Sequence, residues 1–253
     1  MQTPVYNRVP SVTIDFWFIK LMAVTMGETA ADYLAVNLGF GLTATSLIMS
    51  AILIGALVLQ FGQKRYVPWA YWLAVVLISI VGTLVTDNLV DNFHVSLIST
   101  TIGFSLALAA TFAVWYASEK TLSIHEIFTT KREAFYWLAI LFTFALGTAA
   151  GDMVAEKFGL GYLSTGVLFG MIIASLTFGY FFLGLDPILG FWLAYILTRP
   201  LGASFGDLLS QPTKFGGMGL GTIITSAIFL GAIISIVAYM SFARKAEEPA
   251  LAN

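Results

Sequence analysis

Long apolar runs, each about the 20 residues that a bilayer-crossing helix requires, alternate along this chain with short polar links. Eight such runs stand out, at roughly 15–36, 43–62, 68–91, 95–117, 134–156, 162–183, 187–210 and 219–242. Only one link, 118–133, is long and charged. The pattern predicts an all-α, polytopic membrane bundle of about eight transmembrane helices. Its parts would be a segment 1–14, a first transmembrane half 15–117, a linker 118–133, a second half 134–242 and a disordered tail 243–253.

The odd-numbered runs are not purely apolar. Each carries Gly-x4-Asp near its far end: Gly27 to Asp32, Gly82 to Asp87, Gly147 to Asp152 and Gly202 to Asp207. The first and third copies are 120 residues apart, as are the second and fourth. A tryptophan precedes each aspartate by 15 residues: Trp17, Trp72, Trp137 and Trp192. Glycine-rich turns follow three copies (Gly39 and Gly41, Gly159 and Gly161, Gly216 to Gly221), and His94 stands where the second copy would have its first glycine. Such periodicity marks an internal repeat. Each repeat reads as one helix pair with the motif on its first helix. An even number of spans per repeat gives all four the same orientation, as in parallel repeats about an axis along the membrane normal.

The register sets the depth. Fifteen residues of helix rise about 22 Å, so a tryptophan layer at one interface puts the aspartates about two-thirds of the way across. One turn deeper, four residues before each aspartate, come Glu28, Thr83, Thr148 and Ala203; four residues after it come Val36, Asp91, Glu156 and Gln211. One turn deeper again, the face meets Val24, Ser79, Phe144 and Arg199, a mixed lining that suggests a closed gate or a site on that side rather than an open pore. Carboxylates within a span mark a functional site by default. Arg199 is the expected counter-ion, and Lys20, three residues past Trp17, is expected to snorkel to the interface. Pro200 should kink or break its helix. The motif glycines are expected to serve helix packing.

Charge then orients the chain. It is 58% hydrophobic and 10% charged with a net charge of −2, so nothing suggests nucleic acid as a partner. There is no cysteine, so thiolate metal sites and Cys nucleophiles are excluded. Nine basic residues (Arg8, Lys20, Lys64, Arg65, Lys120, Lys131, Arg132, Arg244 and Lys245) fall on one side, against Lys157 and Lys214 on the other. The positive-inside rule then places both termini in the cytoplasm, and all six tryptophans become an interfacial belt on that side. No cleaved signal peptide is evident, and the first span is expected to act as an uncleaved anchor.

The Gly-Thr/Glu-x3-Asp repeats, with their Gly-Leu-Gly-Tyr turns, resemble bacterial multi-span membrane proteins built from a repeat of unknown function. The resemblance covers about residues 15–225. It implies a multi-span inner-membrane protein and supplies no activity. The fourth repeat departs most, with Arg199-Pro200 entering the motif and Ala203 in place of Thr or Glu.

Glu28, Asp32, Asp87, Asp91, Asp152, Glu156 and Asp207, with the Thr83 and Thr148 hydroxyls, form an all-oxygen set. Such donors suit hard divalent cations. Carboxylates gathered at one level also compete for protons, so exchange of protons for the cation is the natural coupling. The sequence thus reads as a non-enzymatic transporter of small inorganic cations, with a hard divalent metal such as Mn²⁺ as cargo and no covalently bound cofactor. Its alternatives are a proton or monovalent-cation channel, then an intramembrane aspartyl protease, then a scaffold that transports nothing. The protease reading is weakened because neither Ala150-Gly-Asp152 nor Phe205-Gly-Asp207 has the leading glycine of a Gly-x-Gly-Asp pattern. Asp91 and Glu156 read equally well as exposed helix ends, and Met26 and Met153 more simply as packing than as soft-metal ligands.

Overall fold

The structure, a computed structural model, describes residues 6–247, with side chains to residue 242. All regular structure among these residues is helical. Eight α-helices follow in order: α1 Ile14–Asp32, α2 Leu42–Phe61, α3 Pro68–Asp87, α4 Leu97–Glu119, α5 Thr130–Asp152, α6 Gly161–Phe182, α7 Pro187–Ser210 and α8 Thr222–Glu247. The helices start where the chain offers N-caps or an N-terminal proline. Thr13, Ser96, Thr129 and Asp186 accept from the backbone N–H three residues on, and Pro68 and Pro187 open α3 and α7. The backbone of 243–247 continues α8, where a disordered tail was expected; residues 248–253 lie outside the described residues, as do 1–5 of the N-terminal segment.

Seven of the helices are long and apolar enough to cross a membrane. The chain is a multi-pass membrane protein. The exception is α1, whose Asp15, Lys20, Glu28 and Asp32 interrupt its apolar surface, although Ala23, Val24 and Gly27 are among its buried residues. Lipid-facing positions on the other helices, such as Leu47, Ile54, Val58, Ile102, Leu106 and Phe178, are exposed, as a hydrocarbon environment allows.

The bundle has two shells. The motif-bearing helices form the inner one: α1 packs on α3 and α7, and α5 packs on the same two from the other side, closing a ring of four. The outer shell holds α2, α4, α6 and α8. The two helices of one repeat are not each other's main packing partners. The outer helices instead cover the next repeat: α2 packs chiefly on α3, α4 on α5, α6 on α7, and α8 returns to α1. The link after each inner helix throws the chain sideways. Gly39, Gly41, Gly159 and Gly161 have φ between 71° and 74°, and His94 adopts the same left-handed conformation with φ 55°. A side chain is strained there, whereas glycine is not.

The motif glycine explains how the ring closes. Gly27 abuts Ser79, Gly82 abuts Phe144, Gly147 abuts Arg199, and Gly202 abuts Val24. Each contact joins the glycine of one repeat to the residue eight positions before the aspartate in the next, and the fourth glycine completes the circle on the first helix. A Cβ at any of the four would run into its neighbour. Close backbone approach also allows hydrogen bonds across the seams, from Thr25 Oγ1 to the Gly202 carbonyl at 3.0 Å and from Thr86 Oγ1 to the Ala145 carbonyl at 3.0 Å. Pro200 does not break α7, which runs through it to Ser210. The proline packs on Gly147 and Gly151 of α5, whose missing side chains leave it room.

Candidate functional site

The four aspartates occupy equivalent places. Asp32, Asp87 and Asp152 are each the last residue of the regular α-helix, and a five-residue π-helical turn follows each one: 33–37, 88–92 and 153–157. Such wide turns concentrate at functional sites. In the fourth repeat the α-helix continues past Asp207 to Ser210 and a short 3₁₀ turn, Thr213–Phe215, comes next. All four aspartates are half-buried, and each lies within electrostatic reach of Glu28. Gln211, four residues past Asp207, donates to Asp32 Oδ2 at 3.3 Å, joining the fourth repeat to the first. The ring is therefore acidic and shared by all four repeats. Asp91 and Glu156, in the π turns, are exposed.

One turn deeper the ring has a floor. Arg199 is fully buried and donates through a single nitrogen, Nη2, to Glu28 Oε2 at 2.7 Å, to Thr148 Oγ1 at 2.8 Å and to Thr83 Oγ1. Thr83 in turn donates to Glu28 Oε2 at 3.2 Å. Glu28, Thr83 and Thr148 hold the same position in three repeats, and Ala203, the fourth copy, is small, buried and one turn beyond the arginine on α7. The expected counter-ion thus sits where the register puts it. The guanidinium also lies 5.5 Å from the Phe144 ring, and its Nε and Nη1 have no protein partner. A buried pair of this kind owes its stability to its hydrogen bonds, because desolvation offsets much of the Coulomb gain.

Beyond Arg199 the axis is filled with side chains. Lys20 is not a snorkeller: it is fully buried and donates to the Tyr195 carbonyl at 2.8 Å and to Thr198 Oγ1, with its Nζ 3.8 Å from the centre of the Tyr195 ring. A lysine this close to a helix start would reach solvent if it faced lipid; it faces the bundle because α7 supplies an acceptor and an aromatic face. The tryptophans need the same correction. Only Trp69 is exposed, at 47%; Trp72, Trp115, Trp137 and Trp192 are buried and Trp17 is half-buried. They form an internal aromatic layer with Phe16, Tyr71, Tyr136, Phe191 and Tyr195. The Trp192 Nε1–H donates to the Leu122 carbonyl at 3.0 Å and that of Trp72 to the Tyr66 hydroxyl at 3.2 Å, so their polar edges are satisfied. Sequence reasoning missed Tyr71 and Tyr136, which hold equivalent positions on α3 and α5 and hydrogen-bond each other at 2.6 Å.

Among the described residues, no three His, Asp or Glu side chains are close enough together to hold a metal ion. The carboxylates lie within electrostatic reach of one another without forming a ready cage.

Four inner helices, three of them ending their α-helical part at the motif aspartate and each seated on the next by a glycine, define a multi-pass membrane protein built from four repeats. The chain belongs to the family described as Repeat of Unknown Function (DUF347), whose model matches residues 16–66, 70–121, 135–184 and 190–246. Each matched stretch holds one inner helix and the outer helix that follows it. No curated protein and no solved structure matches the sequence.

Proposed function

We propose that this protein is a transporter of small inorganic cations, with a hard divalent metal such as Mn²⁺ as cargo and protons as the coupled ion. The observation that carries the reading is the buried Arg199–Glu28 pair, hydrogen-bonded to Thr83 and Thr148, at the floor of a ring of four half-buried aspartates. An acidic ring in a membrane protein draws cations. Arg199 is an internal cation already bound to the deepest carboxylate, so cargo competes with it for Glu28. A Mg²⁺-like ion needs no cage of three carboxylates, since it binds through one or two and retains several waters.

In this reading all eight helices cross the bilayer of the inner (plasma) membrane and the inner four run parallel. The basic residues place the tryptophan end, with both termini, in the cytoplasm. The aspartate ring then faces outward, and the aromatic layer closes the cytoplasmic side. The packed cytoplasmic half favours alternating access over the channel alternative, which requires a continuous polar path.

The test is cation binding and uptake by the purified protein. Calorimetry with Mn²⁺, Mg²⁺, Ca²⁺, Zn²⁺, Na⁺ and K⁺ should single out a divalent cation, and reconstituted vesicles should accumulate it. No binding to any of the six, or uptake that is unchanged when Asp87 and Asp152 are replaced by asparagine, defeats the proposal.

A further inference from the structure

The seam between α1 and α7 is bare in the tryptophan half of the bundle. An apolar groove of about 700 Å³ lies along α7 there, between α6 and α1. Its walls include Trp17 and Leu21 of α1, Ile173 and Leu176 of α6, and Phe191 and Ala194 of α7, all half-buried. The outer helix α8 packs on α1 and touches α3 and α7, yet among the described residues it contributes none to these walls. The groove follows α7 from Ile188, in its first turn, to Leu201, a helical rise of about 20 Å. One leaflet of bilayer hydrocarbon, half of the core, is about 15 Å deep.

The polar groups of the groove are sorted by place. Along its length they are already spent. Thr198 gives its proton to the Tyr195 carbonyl at 2.9 Å and accepts from Lys20, and Thr177 donates to the Ile173 carbonyl at 2.9 Å. At the mouth, beside the start of α1 and the link after α4, the hydroxyls are used the other way round. Thr13 Oγ1 accepts from the Phe16 N–H at 3.4 Å and Ser123 Oγ from the His125 N–H at 3.3 Å. A hydroxyl that accepts in this way keeps its own O–H to donate. His125, which is exposed, lines the same end.

We propose that this groove is a phospholipid site: one acyl chain lies along α7, and the phosphate accepts hydrogen bonds at the mouth from Thr13, Ser123 and His125. Donors at one end and apolar walls the length of a leaflet fit an amphiphile of that shape. Its volume is that of a small-molecule site, about 300–1,000 Å³. Lipid tails are as apolar as leucine, so no hydrophobic gain favours this tail over its neighbours in the bilayer. Contact with three helices and the hydrogen bonds to the phosphate supply the preference. The lipid covers the α1–α7 seam where no outer helix does. The inference goes beyond the cation-transport reading and stands or falls without it.

The test uses Trp17, the half-buried tryptophan in the groove wall. Trp69→Phe removes the exposed tryptophan, and the other four are buried. Phosphatidylethanolamine with brominated tails, which quench tryptophan, is titrated into this variant in detergent, and native mass spectrometry counts the lipids on each chain. Quenching should saturate at one lipid per chain. Adding Ala194→Phe, which puts a ring into the groove, should abolish the saturable quenching. Adding Ser123→Ala, a change outside the bundle core, should weaken binding about two- to tenfold, the worth of one hydrogen bond. Quenching that rises in proportion to lipid without saturating, or that Ala194→Phe and Ser123→Ala both leave unchanged, overturns the site. A brominated long-chain alcohol that binds as tightly as the phospholipid overturns the phosphate contact. A mass of two chains with no lipid, and Trp17 shielded from the quencher, shows that a second copy fills the groove and overturns the proposal.

Discussion

Arg199 occupies the space that a side chain at Gly147 would fill. A Cβ built on that glycine runs into the Cβ and Cγ of the arginine and lies 3.1 Å from the ring of Pro200. The glycine of the third repeat therefore sets the position of the cation contributed by the fourth. Gly147→Ala should displace the arginine from Glu28, Thr83 and Thr148. We expect a destabilisation of about 1–3 kcal/mol, the usual cost of overpacking a tight contact, together with weakened cation binding. Gly103→Ala, at a glycine with open space around it, is the control. Thermal unfolding in detergent and calorimetry on both variants check this.

Breaking the Arg199–Glu28 pair from one side leaves an uncompensated charge in the core. Glu28→Gln and Arg199→Met should each cost about 3–5 kcal/mol. The double variant should be more stable than either single one. Comparison of the three unfolding temperatures gives the answer, and a double variant as unstable as the sum of the singles would show that the two residues act independently.

Asp87→Asn and Asp152→Asn test the ring without disturbing the ring's floor, since neither carboxylate hydrogen-bonds to Arg199. Both variants should insert and fold with unfolding temperatures near that of the wild type and lose cation binding. Cation affinity in the wild type should fall as pH falls, because protons and metal ions seek the same carboxylate oxygens. Calorimetry at two pH values measures both effects.

His94 holds a left-handed backbone conformation that glycine holds in repeats one and three. That conformation costs a non-glycine residue about 1–2 kcal/mol, from which the greater chain entropy of glycine must be subtracted. His94→Gly should stabilise the fold by up to about 1 kcal/mol and leave cation binding unchanged. A fall in unfolding temperature would show that the imidazole makes a contact worth more than the strain.

Accessibility labelling at Tyr6 and within the link 184–186 should report the cytoplasm, and labelling at Gly41 and Lys214 the opposite side. Any other outcome revises the orientation from which the outward-facing ring follows.

The repeat was the most legible feature of the sequence. Spacing placed Glu28, Thr83 and Thr148 on one level, because helical register converts directly into depth, and Arg199, the one arginine within a span, offered itself as counter-ion of the acids. The same register held a signal that was read differently. Fifteen residues is close to four turns of helix, so each tryptophan lies near the face of its aspartate and points into the bundle. Tryptophan near a span end suggests an interface, and that prior masked the geometry. Lys20 was misplaced for a similar reason: its acceptor is a backbone carbonyl of Tyr195, on a helix 175 residues away. Such an acceptor leaves no mark in composition or spacing. The pairing of outer helices with the following repeat was equally hidden, since it is decided by the backbone angles of links only a few residues long.

That pairing sets an order of events. During synthesis α1 emerges before the other seven helices, with Asp15, Lys20, Glu28 and Asp32, and of the eight it is the least suited to lie alone in lipid. Its outer cover is α8, made after the other seven, which fastens to it through Thr29 and Ser226 at 2.7 Å and to the turn that follows it through Asn37 and Thr222 at 3.0 Å. The partner of its Glu28 arrives only with α7. Of these eight helices the first to be made is thus the last to be enclosed, and a chain stopped anywhere before α8 leaves α1 without the cover that α8 provides.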